Sequence, residues 1–248
     1  MIDMHVHSRF SPDTEESMER QCRLALACGL EGLCFTEHWD IDETSLGAGH
    51  YDRDGYFAEI DRCRSLFGKQ LRILSGVEFS EPQNHPKELA YARTLPYDFL
   101  LGATHYFCGG RFPPELLKAG VSAAEMYGAY WEEMRRMAAC GGVDCVAHLD
   151  LPKRYYRCLQ YTVAEAKEIL SLLIEQGIVI EINTSAFANG FKEAHPADAL
   201  LQLYKDCGGR EVTVGTDSHW ADERSIAGYL AEGYKKAAQF GLAVRRYV

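Results

Sequence analysis

Seven short apolar runs punctuate this chain, over residues 2–7, 32–38, 72–80, 99–106, 145–150, 178–183 and 212–219, and each ends in polar, often ionisable residues. Runs such as IVIEIN and VTVGTD carry the β-branched content of strands buried on both faces. Between the runs lie helical patterns at 15–28, 56–67, 123–140, 163–176 and 196–207, with a last one at 226–240. The first opens after Pro12-Asp13-Thr14 and closes at Gly29, and the fourth and fifth close at Gly177 and Gly208-Gly209, residues suited to left-handed caps. Strand–helix alternation of this kind implies a parallel sheet with right-handed crossovers. Seven such units in 248 residues, with no linker or internal repeat, predict one α/β domain over 1–248 closed into a barrel. A doubly wound open sheet is the alternative.

The histidines fall in a pattern. Of nine, six stand at the C-terminal end of a predicted strand: His5, His7, His38, His105, His148 and His219. Glu37, Glu78, Asp150 and Asp217 occupy equivalent places. That end of a barrel is where catalytic groups gather. In MHVHS the two histidines are two apart on a strand and share a face, a spacing that brings both rings to one cation. Asp217 and His219 in GTDSH share a face if the strand runs that far. Taken singly, each of these residues is as readily a satisfied structural group. Together they predict a multinuclear metal site, because six imidazoles packed without metal leave ring nitrogens unsatisfied. The nitrogen and oxygen donor set suits Zn²⁺, Mn²⁺ or Fe²⁺.

Charge narrows the partners. The chain carries 26 basic against 36 acidic side chains, a formal −10, which disfavours long nucleic acid. A small anionic substrate stays open, since bound cations reverse the field inside one pocket. Nine scattered cysteines, without a C-x-x-C pair, fit free thiols of a reducing cytoplasm. No apolar run reaches the length that spans a bilayer, and the sequence leaves the oligomeric state open.

In order along the chain, HVHSRFSPDTE, FTEHWD, GVEFSEP, a histidine closing the fourth strand, AHLDLPKRYY, EINTS and VTVGTDSH resemble the PHP (polymerase and histidinol phosphatase) family. Within it they look most like the histidinol-phosphate phosphatases of the HisK type. The resemblance implies a distorted (β/α)7 TIM-like barrel holding two to three divalent metal ions. Carried over by position, one metal falls to His5, His7, Glu78 and Asp217, and a second to the shared Glu78 with His105 and His148. A third falls to Asp13, His38 and His219, with Asp13 departing from members that have histidine there. The implied activity is hydrolysis of L-histidinol phosphate in histidine biosynthesis. A phosphoesterase acting on nucleotides or short nucleic acids is the alternative, and a non-catalytic metal-binding module or an amidohydrolase are more distant ones.

Phosphate-ester hydrolysis suits such a cluster, since divalent cations activate water and neutralise the phosphoryl group. Metal-bound hydroxide is then the expected nucleophile, and neither a G-x-S-x-G elbow nor a Walker-type loop is present. Asp217 or His219 is expected to assist proton transfer. For the phosphate, LPKRYYR offers Lys153, Arg154 and Arg157, and Arg154 is preferred because a guanidinium grips two oxygens. Arg9 is a further candidate. His85, with Glu81 and Asn84, is a candidate for the organic part of the substrate. Tyr106, Tyr155 and Tyr156 are expected at the rim, and His50 and His195 are expected on solvated loops.

Overall fold

A computed structural model describes residues 1–247. Eight parallel strands follow one another around the sheet in chain order: β1 (Ile2–Val6), β2 (Gly32–Trp39), β3 (Arg72–Ser80), β4 (Phe99–Ala103), β5 (Cys145–Val146), β6 (Val179–Asn183), β7 (Glu211–Gly215) and β8 (Ala243–Val244). Helices on the outside connect them: α1 (Met18–Ala27), α2 (Arg53–Phe67), α3 (Pro86–Ala92), α4 (Pro113–Lys118), α5 (Ala123–Cys140), α6 (Lys153–Tyr156), α7 (Val163–Glu175), α8 (Ser185–Ala188), α9 (Asp198–Asp206) and α10 (Leu230–Gln239). Side-chain caps fix several starts. Ser17 accepts from Arg20 N at α1, Thr162 from Glu165 N at α7, and Ser122 with Glu125 forms a reciprocal capping box at α5.

The ring of strands closes at its C-terminal mouth. There Val6 bridges Ser218 in parallel, with His7 N donating to Ser218 O at 2.9 Å and Asp217 N to His5 O at 2.8 Å. At the opposite end the short β8 pairs with β7, and the edge of β1 is met by a side chain instead. Tyr234 Oη accepts from Ile2 N at 2.8 Å and donates to Ile2 O at 2.9 Å. Strand β8, α3, α4, α6 and α8 were not expected from sequence. Each is too short to show a period.

Alternation along the strands separates two apolar layers. Leu33, Phe35, Ile73, Leu100, Val146 and Ile180 face the helices, while Cys34, Leu74, Phe99, Leu101, Cys145 and Val179 fill the barrel's interior floor. Above that floor the same inward rows turn polar, as in the step from Leu74 past Gly76 to Glu78. Strand β1 needs one correction of phase. Ile2 and Met4 belong to the interior floor, yet His5 and His7 are the inward groups above it, and a register shift between Asp3 and Val6 switches the face.

Replacing Tyr234 by Phe leaves the Ile2 N–H without its partner at the seam. Urea denaturation is expected to show a loss of about 1–3 kcal/mol, the cost of an unpaired partly buried donor. A loss under about 0.5 kcal/mol, the size of an ordinary surface change, would show that the seam does not rely on it.

Candidate metal centre

The expected ligand side chains converge at the mouth. Five separations define the first group: His5 Nε2 lies 3.0 Å from His7 Nε2, 3.4 Å from Glu78 Oε2 and 3.6 Å from Asp217 Oδ1, and His7 Nε2 lies 3.5 Å from each of those two oxygens. The edge of a tetrahedron of ligands around a zinc ion is about 3.4 Å. On the other side of Glu78, Oε1 stands 2.9 Å from His148 Nε2 and 3.4 Å from His105 Nε2, and those two nitrogens are 3.4 Å apart. Asp13 Oδ2 lies 2.9 Å from His219 Nε2 and 3.5 Å from His38 Nε2. His38 is shared more widely than expected, because its Nδ1 also reaches Glu78 Oε2 at 3.1 Å. Three overlapping sets have their ligand atoms within 4.8 Å and could hold a metal ion: His5–His7–Asp217, His38–Glu78–His105 and His7–His38–His219.

Proton positions follow from the bonds behind the rings. Ser11 Oγ donates to Glu37 Oε2 at 2.7 Å, so it accepts from His7 Nδ1 at 2.9 Å. Ser80 Oγ donates to Asp40 Oδ1 at 2.5 Å, and accepts from His105 Nδ1 at 3.2 Å. His5 Nδ1 donates to Glu181 Oε1 at 2.7 Å, and His219 Nδ1 to the Asp217 carbonyl at 2.9 Å. In their neutral form these four rings therefore present an Nε2 lone pair toward the cluster, a tautomer assigned from the network. Lone pairs and carboxylate oxygens thus face one another, and Glu78 Oε2 is buried with no hydrogen-bond partner among the described residues. A cation satisfies such a set, and the carboxylate, hydroxyl and carbonyl acceptors behind the rings are the kind of support that ligating histidines use.

The electrostatics show the same crowding. Burial would depress His5, but Glu181, Glu78 and Asp217 outweigh it and raise this imidazole. His38 is lifted to about 10 against burial by Glu78 and Asp13. Burial, with the His219 and His38 rings beside it, pushes His7 down to about 3. Burial would raise Glu78, yet His5, His38 and His105 hold it well below the usual carboxylate range.

Backbone geometry brings these groups in from shorter strands than the sequence suggested. Strands β4, β5 and β7 end at Ala103, Val146 and Gly215, before His105, His148, Asp217 and His219. His148 and Asp217 take φ of +26° and +55°, out of the extended region, which ends the ladders and swings both side chains inward. Asp217 and His219 reach the site by that turn and not as alternate residues of a strand. Gly215 permits a close approach between β7 and the His5 and Glu181 side chains. A Cβ there would lie 2.3 Å from His5 Cβ and 2.4 Å from Glu181 Oε1.

The cluster floors a cavity of about 510 Å³ whose walls include Leu46, Tyr106, Phe112, Leu151 and Tyr155. Arg154 lines it. Its Nη2 donates to Asp217 Oδ2 at 2.9 Å and Ser185 Oγ at 2.8 Å, and its Nε is buried with no hydrogen-bond partner among the described residues. Other expectations are corrected. Lys153 is buried, with Nζ on Ala194 O at 3.0 Å and Asp150 Oδ2 at 2.9 Å, and does not line the cavity. Arg9 lies over the Phe10 ring in a separate surface pocket beside Arg20 and Arg62. His85, at the start of α3, does not line the cavity, and neither does Tyr156. Asn84 accepts from Arg136 on the surface, while Glu81 is buried and takes the His105 and Tyr106 N–H groups. Glu37 turns away to Ser8 and Ser11. Asp150 turns to His195, which is fully buried and not on a solvated loop. His50 is exposed as expected. The supports Asp3, Asp40 and Glu181 were missed. Glu181 carried a signal, an acid inside the apolar run IVIEIN.

The profile of the PHP domain matches residues 3–185. The chain belongs to the PHP family. It is 29% identical to the histidinol-phosphatase of Lactococcus lactis subsp. lactis, over 96% of this chain and 91% of that protein. It is 28% identical to a probable histidinol-phosphatase of Clostridium acetobutylicum, over 90% and 88%. The crystal structure of the Lactococcus lactis histidinol phosphate phosphatase, complexed with zinc, L-histidinol and phosphate, superposes with a TM-score of 0.76 at 27% identity, covering 98% of this chain and 94% of that one. A putative histidinol phosphatase of Listeria monocytogenes, 16% identical with a TM-score of 0.74, shares the fold. The PHP chain described here therefore has the TIM-like barrel of these phosphatases. No helix among the described residues is long and apolar enough to cross a membrane.

Glu181→Gln keeps the shape behind His5 and removes the charge. Zinc affinity, read by competition with a chromophoric chelator, is expected to fall about 10–100-fold, the usual effect of losing a carboxylate behind a ligating histidine. An unchanged affinity would remove His5 from the metal centre.

Proposed function

We propose that this PHP protein is a metal-dependent phosphomonoesterase that hydrolyses L-histidinol phosphate to L-histidinol and phosphate. The observation that carries the reading is the floor of the cavity. Seven nitrogen- and oxygen-bearing ligand candidates line it, with His5 and His7 packed against them, beside the half-buried Arg154, in a chain aligned with histidinol-phosphatases over nearly its whole length.

His5, His7, Glu78 and Asp217 would hold one divalent ion, and Glu78, His105 and His148 a second. Asp13, His38 and His219 could hold a third. Zinc, manganese and iron all suit these donors, and the Lactococcus lactis relative carries zinc. Bound there, such ions supply an activated water and neutralise the phosphoryl oxygens. Arg154 contributes fixed positive charge at the cavity's edge. Its Nη2 is held by Asp217 and Ser185, leaving Nη1 to take a phosphate oxygen.

As the P–O bond to the leaving alcohol breaks, that oxygen needs a proton. Asp217 has Oδ1 against His5 and His7 and Oδ2 against Arg154, so it is spent. His219, at the cavity rim with Nε2 beside Asp13, can carry a second proton there as imidazolium and give it up. A third metal ion at that position would replace the proton. For the organic part, Tyr106, Phe112 and Tyr155 offer flat apolar faces to an imidazole, and the buried Asp40 carboxylate offers charge to an ammonium. The nine free thiols among the described residues support a cytoplasmic setting.

The deciding measurement is phosphate release from histidinol phosphate against a panel of nucleotides and simple phosphomonoesters, with protein loaded in turn with Zn²⁺, Mn²⁺ and Fe²⁺. Strong preference for histidinol phosphate is expected. Nucleotide-biased release would leave the metal chemistry and remove the substrate. Arg154→Ala is expected to raise KM about tenfold or more, the loss of a charge-assisted hydrogen bond.

Metal affinity should also climb with pH. His5 and His38 have raised proton affinities, protonated imidazole cannot ligate, and so protons compete with the cation until pH passes those raised values. Chelator competition at about pH 6 and about pH 8, spanning the range where imidazoles titrate, checks this. Equal affinity at both would exclude these histidines as ligands.

A further inference from the structure

Behind Arg154 lies a buried polar network that the phosphatase reading does not use. Asp150, fully buried, gathers three donors: His195 Nδ1 at 2.5 Å, Ala197 N at 2.9 Å and Lys153 Nζ at 2.9 Å. Lys153 Nζ also donates to Ala194 O at 3.0 Å, and Lys153 N to Asp150 O at 2.9 Å. The neighbour of Lys153 is Arg154, on the four-residue helix α6, which is too short to hold its own position.

The other side of the network leads to the same guanidinium. His195 pairs in both directions with Asn183, through His195 N to Asn183 O at 2.9 Å and Asn183 N to His195 O at 2.7 Å. The Asn183 side chain accepts from Ser185 N and Oγ through Oδ1, and approaches Asp217 Oδ2 through Nδ2 at 3.4 Å. Ser185 Oγ and Asp217 Oδ2 are the two acceptors that grip Arg154 Nη2. One connected set of hydrogen bonds therefore fixes both the backbone that carries Arg154 and the two groups that aim it.

We propose that Asp150 and His195 are positioning residues for Arg154, setting the guanidinium where it meets the phosphoryl group. The proposal rests on the assignment of Arg154 to phosphate, and it deepens that assignment. A residue that only stabilises the barrel would lower stability and leave phosphate affinity alone. A positioning residue weakens phosphate binding only while Arg154 is present to be aimed.

The test is a double-mutant cycle on zinc-loaded full-length protein, read by calorimetric titration of inorganic phosphate. His195→Ala is expected to weaken phosphate about tenfold, roughly one charge-assisted hydrogen bond, and to add no further loss in the Arg154→Ala background. His195→Asn keeps an N–H near the Nδ1 position and is expected to restore most of the affinity. It also covers the case in which the alanine variant does not fold. Zinc content should be unchanged in all folded variants. Additive losses, or His195→Ala with wild-type phosphate affinity, would overturn the positioning role. If Arg154→Ala itself leaves phosphate binding intact, both the proposal and the phosphate assignment fall. Coupled phosphate binding without turnover of histidinol phosphate would support the network and refute the substrate.

Discussion

Glu78 places one carboxylate oxygen in each of two groups of imidazole nitrogens, and it does so fully buried. A buried carboxylate facing lone pairs is unstable unless positive charge stands between them, whether protons on the rings or cations. Much of the mouth of the barrel follows from that constraint. The phase shift in β1 turns His5 and His7 inward, Gly215 lets Glu181 and His5 meet, and Ser11 and Ser80 set the tautomers of His7 and His105. Each device would be unnecessary in a barrel whose upper layer was apolar like its floor.

Such a layer is held at a cost in backbone strain. His148, Asp217 and Glu81 are non-glycine residues with positive φ, each a departure of order 1–3 kcal/mol. All three are tied down by bonds that the normal conformation would break. His148 N donates to Glu181 Oε2, Asp217 N donates across the seam to His5 O, and Glu81 accepts two successive backbone N–H groups. Glu181, which orients the His5 ring, thus also stabilises the turn that delivers His148. Removing one support would disturb both a ligand's direction and the loop of its neighbour.

The placement of the ligand histidines was legible because chain order alone sends every strand end of a parallel barrel to one face. HVH, TEH, GVE, THY, AHL and DSH needed no contact map to be brought together. Direction was harder to read. Glu37 and Asp150 stand at strand ends like Glu78, yet one turns to Ser8 and Ser11 and the other to His195, because side-chain direction depends on turns that a sequence does not display. Lys153 looked like a phosphate ligand for its charge, and the charge is spent internally on Asp150. His195 sits in the polar stretch NGFKEAHP and looked solvated, while its pairing with Asn183, 12 residues away in sequence, buries it. The eighth strand escaped notice because a two-residue bridge has no alternation to detect.

Charge explains how an acidic protein can take an anionic substrate. Asp13, Glu78 and Asp217 present their carboxylates to the cluster, and a phosphate monoester brings close to two further negative charges at neutral pH. Two divalent cations and Arg154 would outweigh the three carboxylates by about the charge of that ester, and burial would keep solvent from screening the balance. Arg154 is the one contributor that the protein carries permanently, and it is shared between Asp217 and the cavity. If it moved toward Asp217 it would compete with a cation for that carboxylate. If it moved away, the phosphoryl group would lose a fixed donor. Its position has to be set from outside the cluster, by groups that neither bind metal nor touch substrate, and the buried contacts around Asp150 and Asn183 are where the fold can do that.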